Sequence, residues 1–344
     1  MGSARGTVVL KTVSVMTQVL SQRLVPERVP LGQAAPPGWR RLALPAAVTW
    51  AVGYGSMRAF WAVTGAPSPV DTDLAGFTGW WAVALCAAAA VVVLALARAP
   101  WSLSLAVAAW GVALALAAAS AVLLLDVVGL LLPGLGVSVS PAAFASRAVC
   151  LAGAVLVGIN VLTYQRHWHG ACLACGSTPE TIRLTRPPRW AWVAAWAAVT
   201  GWLARVLAQV GVGFGDLAGA VGTLLLFEAG FMLAGTMLPL ALVHRWGRIL
   251  PRWLPLLAGH RVPRWLVLGP GLGLGVGMSA YFGFTLVMVV VDTLTGTAPF
   301  ADGSLPLWFY WVAVPGYLVW GLGLLAAALA YRRLTRPVCP VCQR

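Results

Sequence analysis

Residues 164–175 read YQRHWHGACLAC, and residues 331–342 read YRRLTRPVCPVC. Each follows a long apolar run, opens on tyrosine with an arginine within two residues, and closes on Cys-x-x-Cys. Two equivalent endings, one in mid-chain and one at the C-terminal end, divide the sequence into related halves. Each half is a run of apolar segments closed by a basic, thiol-bearing stop.

The segments between these endings are membrane spans. The chain is 60% hydrophobic and only 9% charged, with a mean hydropathy of +0.86, whereas a soluble domain carries roughly 25% charged residues. Apolar runs of ~20 residues cross a bilayer as helices. We place eight, at 43–64, 79–98, 101–125, 146–165, 190–210, 218–243, 265–291 and 306–331. The expected fold class is an all-α integral membrane protein. The 42 residues before the first span are polar, basic and proline-rich, with no short apolar core and cleavage site of a secretory signal.

A net charge of +14 would point to nucleic acid in a soluble protein. Here the bias of Arg and Lys toward cytoplasmic loops explains it, and no nucleic acid partner is expected. With the N-terminus inside, 20 of the 23 basic residues fall in the tail, the even-numbered connections and the C-terminal end. Arg147 falls outside, and Arg58 and Arg205 lie within spans. Most acids sort outward, Asp71, Asp73 and Asp126 among them. Both termini are therefore expected in the cytoplasm.

Four spans per half make the repeats parallel, related by an axis along the membrane normal. Trp50 precedes Arg58 in the first span and Trp196 precedes Arg205 in the fifth, at nearly equal spacing. The resulting division is a tail (1–42), a first four-helix repeat (43–175), a cytoplasmic linker (176–189) and a second repeat (190–344).

The two Cys-x-x-Cys pairs carry the clearest chemistry. Two-residue spacing lets both thiolates face one metal, and Gly176 after the second cysteine suits the turn of a zinc knuckle. Cys172, Cys175, Cys339 and Cys342 would complete the closed four-thiolate shell of a structural zinc. Dithiol–disulfide exchange is the alternative, because neighbouring arginines and His167 or His169 favour thiolates. It sits less easily with a reducing cytoplasm. Cys86 and Cys150, within apolar helix, read as packed thiols.

Arg58, Arg205 and Glu228 lie at membrane depth. A charge there costs at least ~2.5–3.5 kcal/mol, so it faces a partner or a wet cavity. The three are candidates for a midplane substrate site, with the arginines holding an anionic group and Glu228 as proton carrier or counter-ion. A structural ion pair is the other reading. No H-E-x-x-H, G-x-S-x-G or P-loop accompanies them, so no catalytic residue is assigned.

Between spans six and seven, RWGRILPRWLPLLAGHRVPRW places Arg245, Arg248 and Arg252 at helical spacing beside tryptophans. It reads as a broken interfacial segment resting on anionic lipid headgroups. In span seven, Gly269, Gly273 and Gly277 form a small-residue stripe for close helix packing.

The second half, from FEAGFMLAGTMLPLALVHRWGRILPRW through GPGLGLGVGMSAYFG, resembles a group of uncharacterised multi-pass membrane proteins of high-GC Gram-positive bacteria. GYGSMRAFWAVTG in the first span is similar to the same group. The resemblance implies a bacterial plasma membrane and no activity. The expected function is transporter-like, for a small anionic or amphipathic substrate. A thiol/quinone oxidoreductase and a scaffold docking a cytoplasmic protein stand as alternatives.

Overall fold

The structure is a computed structural model that describes residues 42–65, 78–131, 139–178, 184–213, 221–249, 259–296, 305–339 and Cys342. Among these, all long elements are helices. They are α1 (Ala43–Thr64), α2 (Gly79–Arg98), α3 (Leu103–Ala119), α4 (Leu123–Leu131) and α5 (Pro141–Trp168) in the first half. The second half holds α6 (Arg189–Val212), α7 (Val221–Met232), α8 (Leu238–Val243), α9 (Arg264–Thr295) and α10 (Leu307–Leu334). Seven helical stretches are long and apolar enough to cross a bilayer, and the 22-residue α1 is long enough to be an eighth. The protein is an all-α polytopic membrane protein.

The helix ends follow local chemistry. Gly65 and Gly296 end α1 and α9 in the left-handed conformation that lacks a Cβ penalty. Pro141 opens α5, where a missing N–H costs nothing. The sixth span does not run as one α-helix. A π-helical turn, Leu233–Met237, joins α7 to α8. Pro239, just beyond it, cannot donate an i→i−4 bond, and a wide turn accommodates that loss.

The outer surface is apolar. Only 17% of the most hydrophobic window of α9 is buried, and Trp81, Trp265 and Leu294 stand out at 61–80% exposure. Such a surface suits lipid, and tryptophans near helix ends suit the headgroup boundary.

Each half has its own core. In the first, α1 packs on α2 and α5, and α3 packs on α5. In the second, α10 is central, packed along α6 on one side and α9 on the other. Glycines set the α6–α10 crossing. A Cβ at Gly201 would lie 2.5 Å from the Gly316 carbonyl, and one at Gly323 would lie 2.5 Å from that of Ala194. Backbones approach this closely only where side chains are absent. The halves meet where α9 touches α3 and α4, with Leu124 packed against the second core.

The glycine stripe expected on α9 is corrected at two of its three positions, while at Gly277 a Cβ would lie 3.6 Å from Leu124 of α4, a helix contact of the kind expected. Gly269 and Gly273 have open space beside them, whereas a Cβ at Gly275 would lie 2.8 Å from the Leu325 amide. Gly271 and Gly275 are the residues that face α10. Alternating glycines in GPGLGLGVG put i, i+4 pairs on both sides of the helix, and the position of α10 selects one.

The opening tyrosines of the two motifs do equivalent work. Tyr164 on α5 donates its hydroxyl to the Pro100 carbonyl at 2.6 Å and accepts the Ser102 amide at 2.7 Å. Tyr331 on α10 donates to the Gly247 carbonyl at 3.0 Å. Each pins the link between the second and third spans of its own half.

Candidate metal centre and intramembrane charges

Beyond Trp168, where α5 ends, Gly170 takes a left-handed conformation and turns the chain back. The next residues form a knuckle. The Gly176 amide donates to the Cys172 carbonyl at 2.5 Å, and the Cys172 amide donates to the Ser177 carbonyl at 2.9 Å. Gly176 has φ +74°, and its missing side chain leaves room for the Arg166 guanidinium, which packs where a Cβ would stand. This is the geometry that a glycine after Cys-x-x-Cys makes possible.

The second pair arrives from α10, which ends at Leu334. The four Sγ atoms of Cys172, Cys175, Cys339 and Cys342 all lie within 4.8 Å of one another. Cys175 and Cys342 approach to 3.4 Å, far beyond the ~2.05 Å of a disulfide. No disulfide links them. A metal with Zn–S bonds of about 2.3 Å needs sulfurs roughly 3.8 Å apart, so the thiol spacing suits a tetrahedral ion. Cys172 and Cys339 are buried and the other two are partly exposed.

The surroundings favour thiolate at one position. Burial opposes ionisation of Cys175, but the Ser177 hydroxyl and amide, with the Cys342 and Cys172 thiols, outweigh it and bring it down to about 6. Burial pushes the Cys172 thiol up. Arg336 donates to the Ser177 hydroxyl at 3.1 Å, a further bond between the second-half ending and the first-half knuckle. His167 and His169 stand apart from the four-cysteine group. Each makes an edge contact with a tryptophan, Trp168 and Trp101 respectively.

The three intramembrane charges do not form one site. Arg205 on α6 donates to both oxygens of Glu228 on α7, at 3.0 and 3.1 Å, and to the Tyr317 hydroxyl on α10 at 2.7 Å. Its guanidinium lies over Phe231 and Tyr317. Arg58 belongs to the other half. It donates to the Tyr54 hydroxyl at 3.0 Å and to the Ser146 hydroxyl at 3.2 Å, and lies over Trp61. The single midplane site expected of Arg58, Arg205 and Glu228 is therefore not brought together, because α1 and α6 belong to separate bundles. Both arginines tie the first helix of a half to its last, through Ser146 on α5 and Tyr317 on α10.

Reading the sequence missed a second ion pair. Asp126 and Arg147 were expected in outer loops, but both are buried, and Arg147 donates to the two Asp126 oxygens at 2.6–2.7 Å. Helix α4 continues beyond Asp126, and α5 begins at Pro141 rather than near 146. A charge scored alone looks like the end of a span, whereas a neutralised pair lies inside one. The opposite charges on either side of an apolar link were the only available sign. Cys86 and Cys150 are packed as expected, with the Cys150 thiol 3.5 Å from the Tyr54 hydroxyl. Asp71, Asp73 and Arg252 lie outside the described residues.

Compared with known protein families, curated proteins and solved structures, the chain matches none of them.

Proposed function

We propose that this is a bacterial plasma-membrane protein, with both termini cytoplasmic, whose two four-helix repeats are clasped by one structural zinc. Cys172 and Cys175 would hold the ion from the first repeat, and Cys339 and Cys342 from the second. The observation that carries this reading is the convergence of four thiols within 4.8 Å, two from mid-chain and two from the C-terminal end. Four thiolates fill a tetrahedral shell and leave no position for substrate, so the ion would stabilise and join rather than catalyse. The test is metal content with a thiol count on detergent-purified protein. One zinc per chain, with these thiols reactive only after chelation, is the expected result. Absence of metal, with thiols appearing only after reduction, would replace the clasp with a thiol/quinone redox centre.

The membrane core around that clasp is transporter-like in this reading. One observation favours it over a scaffold: the Glu228 side chain keeps 28% exposure within a span, just before the π-helical turn. Such turns are frequent at functional sites. With Arg58 in the other bundle, the candidate site narrows to Arg205, Glu228 and Tyr317, and Glu228 would carry the proton. Replacing a buried pair by apolar residues is often neutral for stability. The double variant Arg205→Met, Glu228→Leu should therefore fold. Proton flux in proteoliposomes, read by an entrapped pH dye, should be lost in that variant. Flux equal to wild type would remove the transport reading.

A further inference from the structure

The same membrane face holds a second built feature that the clasp does not use. A cavity of about 790 Å³ opens between the approach to α6 and the end of α8. Arg186, Arg245 and Arg248 line it, and Trp192, Val243 and Ile249 supply an apolar wall. Backbone hydrogen bonds tie its floor: the Arg248 and Ile249 amides both donate to the Arg245 carbonyl, and the Val262 amide donates to the Arg248 carbonyl. Residues 245–247 form a 3-10 turn, and Ile249 bridges to Arg261. Where it is described, the segment expected to be broken and interfacial is thus a 3-10 turn followed by one isolated bridge. His244 closes one side, its ring edge-on to Trp192 and its Nδ1 bonded to the Leu240 carbonyl at 3.0 Å.

Three guanidinium groups around one cavity repel each other unless an anion joins them. Among the described residues the ion pairs are Arg147–Asp126 and Arg205–Glu228, so no carboxylate there neutralises these arginines. Planar guanidinium forks suit phosphate oxygens, and the volume falls within the range of small-molecule sites. The apolar wall and the position at a span end suit a molecule whose other part lies in the bilayer. A second cavity of about 590 Å³ occupies a comparable place in the first half, beside Arg98, Asn160 and His167. It holds one arginine rather than three, so the charge cluster is particular to the second half.

We propose that the Arg186–Arg245–Arg248 cavity binds the phosphate of an anionic lipid headgroup, with the acyl chains lying along the α6–α8 side of the bundle. The test is native mass spectrometry and a binding titration on the full-length detergent-solubilised protein. Phosphatidylglycerol, phosphatidylcholine and inorganic phosphate are the three probes. Phosphatidylglycerol should bind stoichiometrically and phosphatidylcholine should not compete with it. Arg245→Gln with Arg248→Gln should weaken phosphatidylglycerol binding roughly ten- to thirtyfold, the order expected for two charges near a headgroup. Arg333→Gln, which removes a charge from the same face outside the cavity, is the control and should change it little. Equal losses in the two variants would reduce the effect to general electrostatics and overturn the site. Displacement of the lipid by inorganic phosphate alone would assign the cavity to a soluble phosphate and overturn the lipid source. Arg245→Lys with Arg248→Lys, which keeps charge but not the fork, guards against misfolding and should recover part of the binding.

Discussion

Cys339→Ser is expected to release the zinc of the proposed clasp and to loosen the attachment of the two halves at the cysteine face. A serine hydroxyl does not match thiolate as a zinc ligand, and ligand loss opens a closed shell to water. Zinc contents near one per chain should fall to roughly a fifth or less, as metal affinity depends on the full ligand set. Free energies of about 10–16 kcal/mol accompany structural zinc in small peptides. In this protein the helices are also held by their own cores, so a smaller cost, a drop of several degrees in thermal midpoint, is expected. Cys175→Ser should behave like Cys339→Ser although it lies 167 residues from the partner Cys342, because both halves supply half the shell. Cys150→Ser, in a buried site on α5 away from the cluster, should retain the metal. Full zinc content in Cys339→Ser would sink the four-cysteine centre.

Gly201→Leu should strongly destabilise the second half. The space a side chain would need is taken by the Gly316 carbonyl at 2.5 Å and the Trp320 amide at 2.7 Å. Neither is a flexible side chain that can swing aside. Overpacking a core costs about 1–3 kcal/mol when neighbours can yield, and here two helix backbones must separate, so the upper end or beyond is expected. The loss should appear in thermal or denaturant unfolding in detergent. Helix α9 supplies an internal comparison. Gly275→Leu meets the Leu325 backbone and should destabilise, whereas Gly273→Leu points into open space and should be tolerated. Equal effects at 273 and 275 would mean that α9 turns a different face to α10.

The Asp126–Arg147 pair shows where reading residues one at a time loses information. Each charge, taken singly, marks the limit of a span. Together, at 2.6 Å and nearly inaccessible, they behave as a neutral unit that extends both helices inward. Arg58 makes the converse point. Its depth was legible from the apolar residues on either side, but its partners were not, since Ser146 lies 88 residues away.

What this sequence determines by itself is whatever depends on composition over ~20 residues or on short spacing. The bilayer imposes one length and one polarity on every span, so the spans could be placed from local hydropathy. The knuckle at Cys172–Cys175 was legible because two-residue spacing and the following glycine fix local backbone geometry. Long-range pairing was decided only by tertiary structure. Lipid tails are as apolar as leucine, so hydropathy does not say which side of a helix meets another helix. The choice of Gly271 and Gly275 over Gly269 and Gly273, the assignment of Glu228 to Arg205 rather than Arg58, and the cavity among three arginines all follow from where α10, α6 and α8 come to rest.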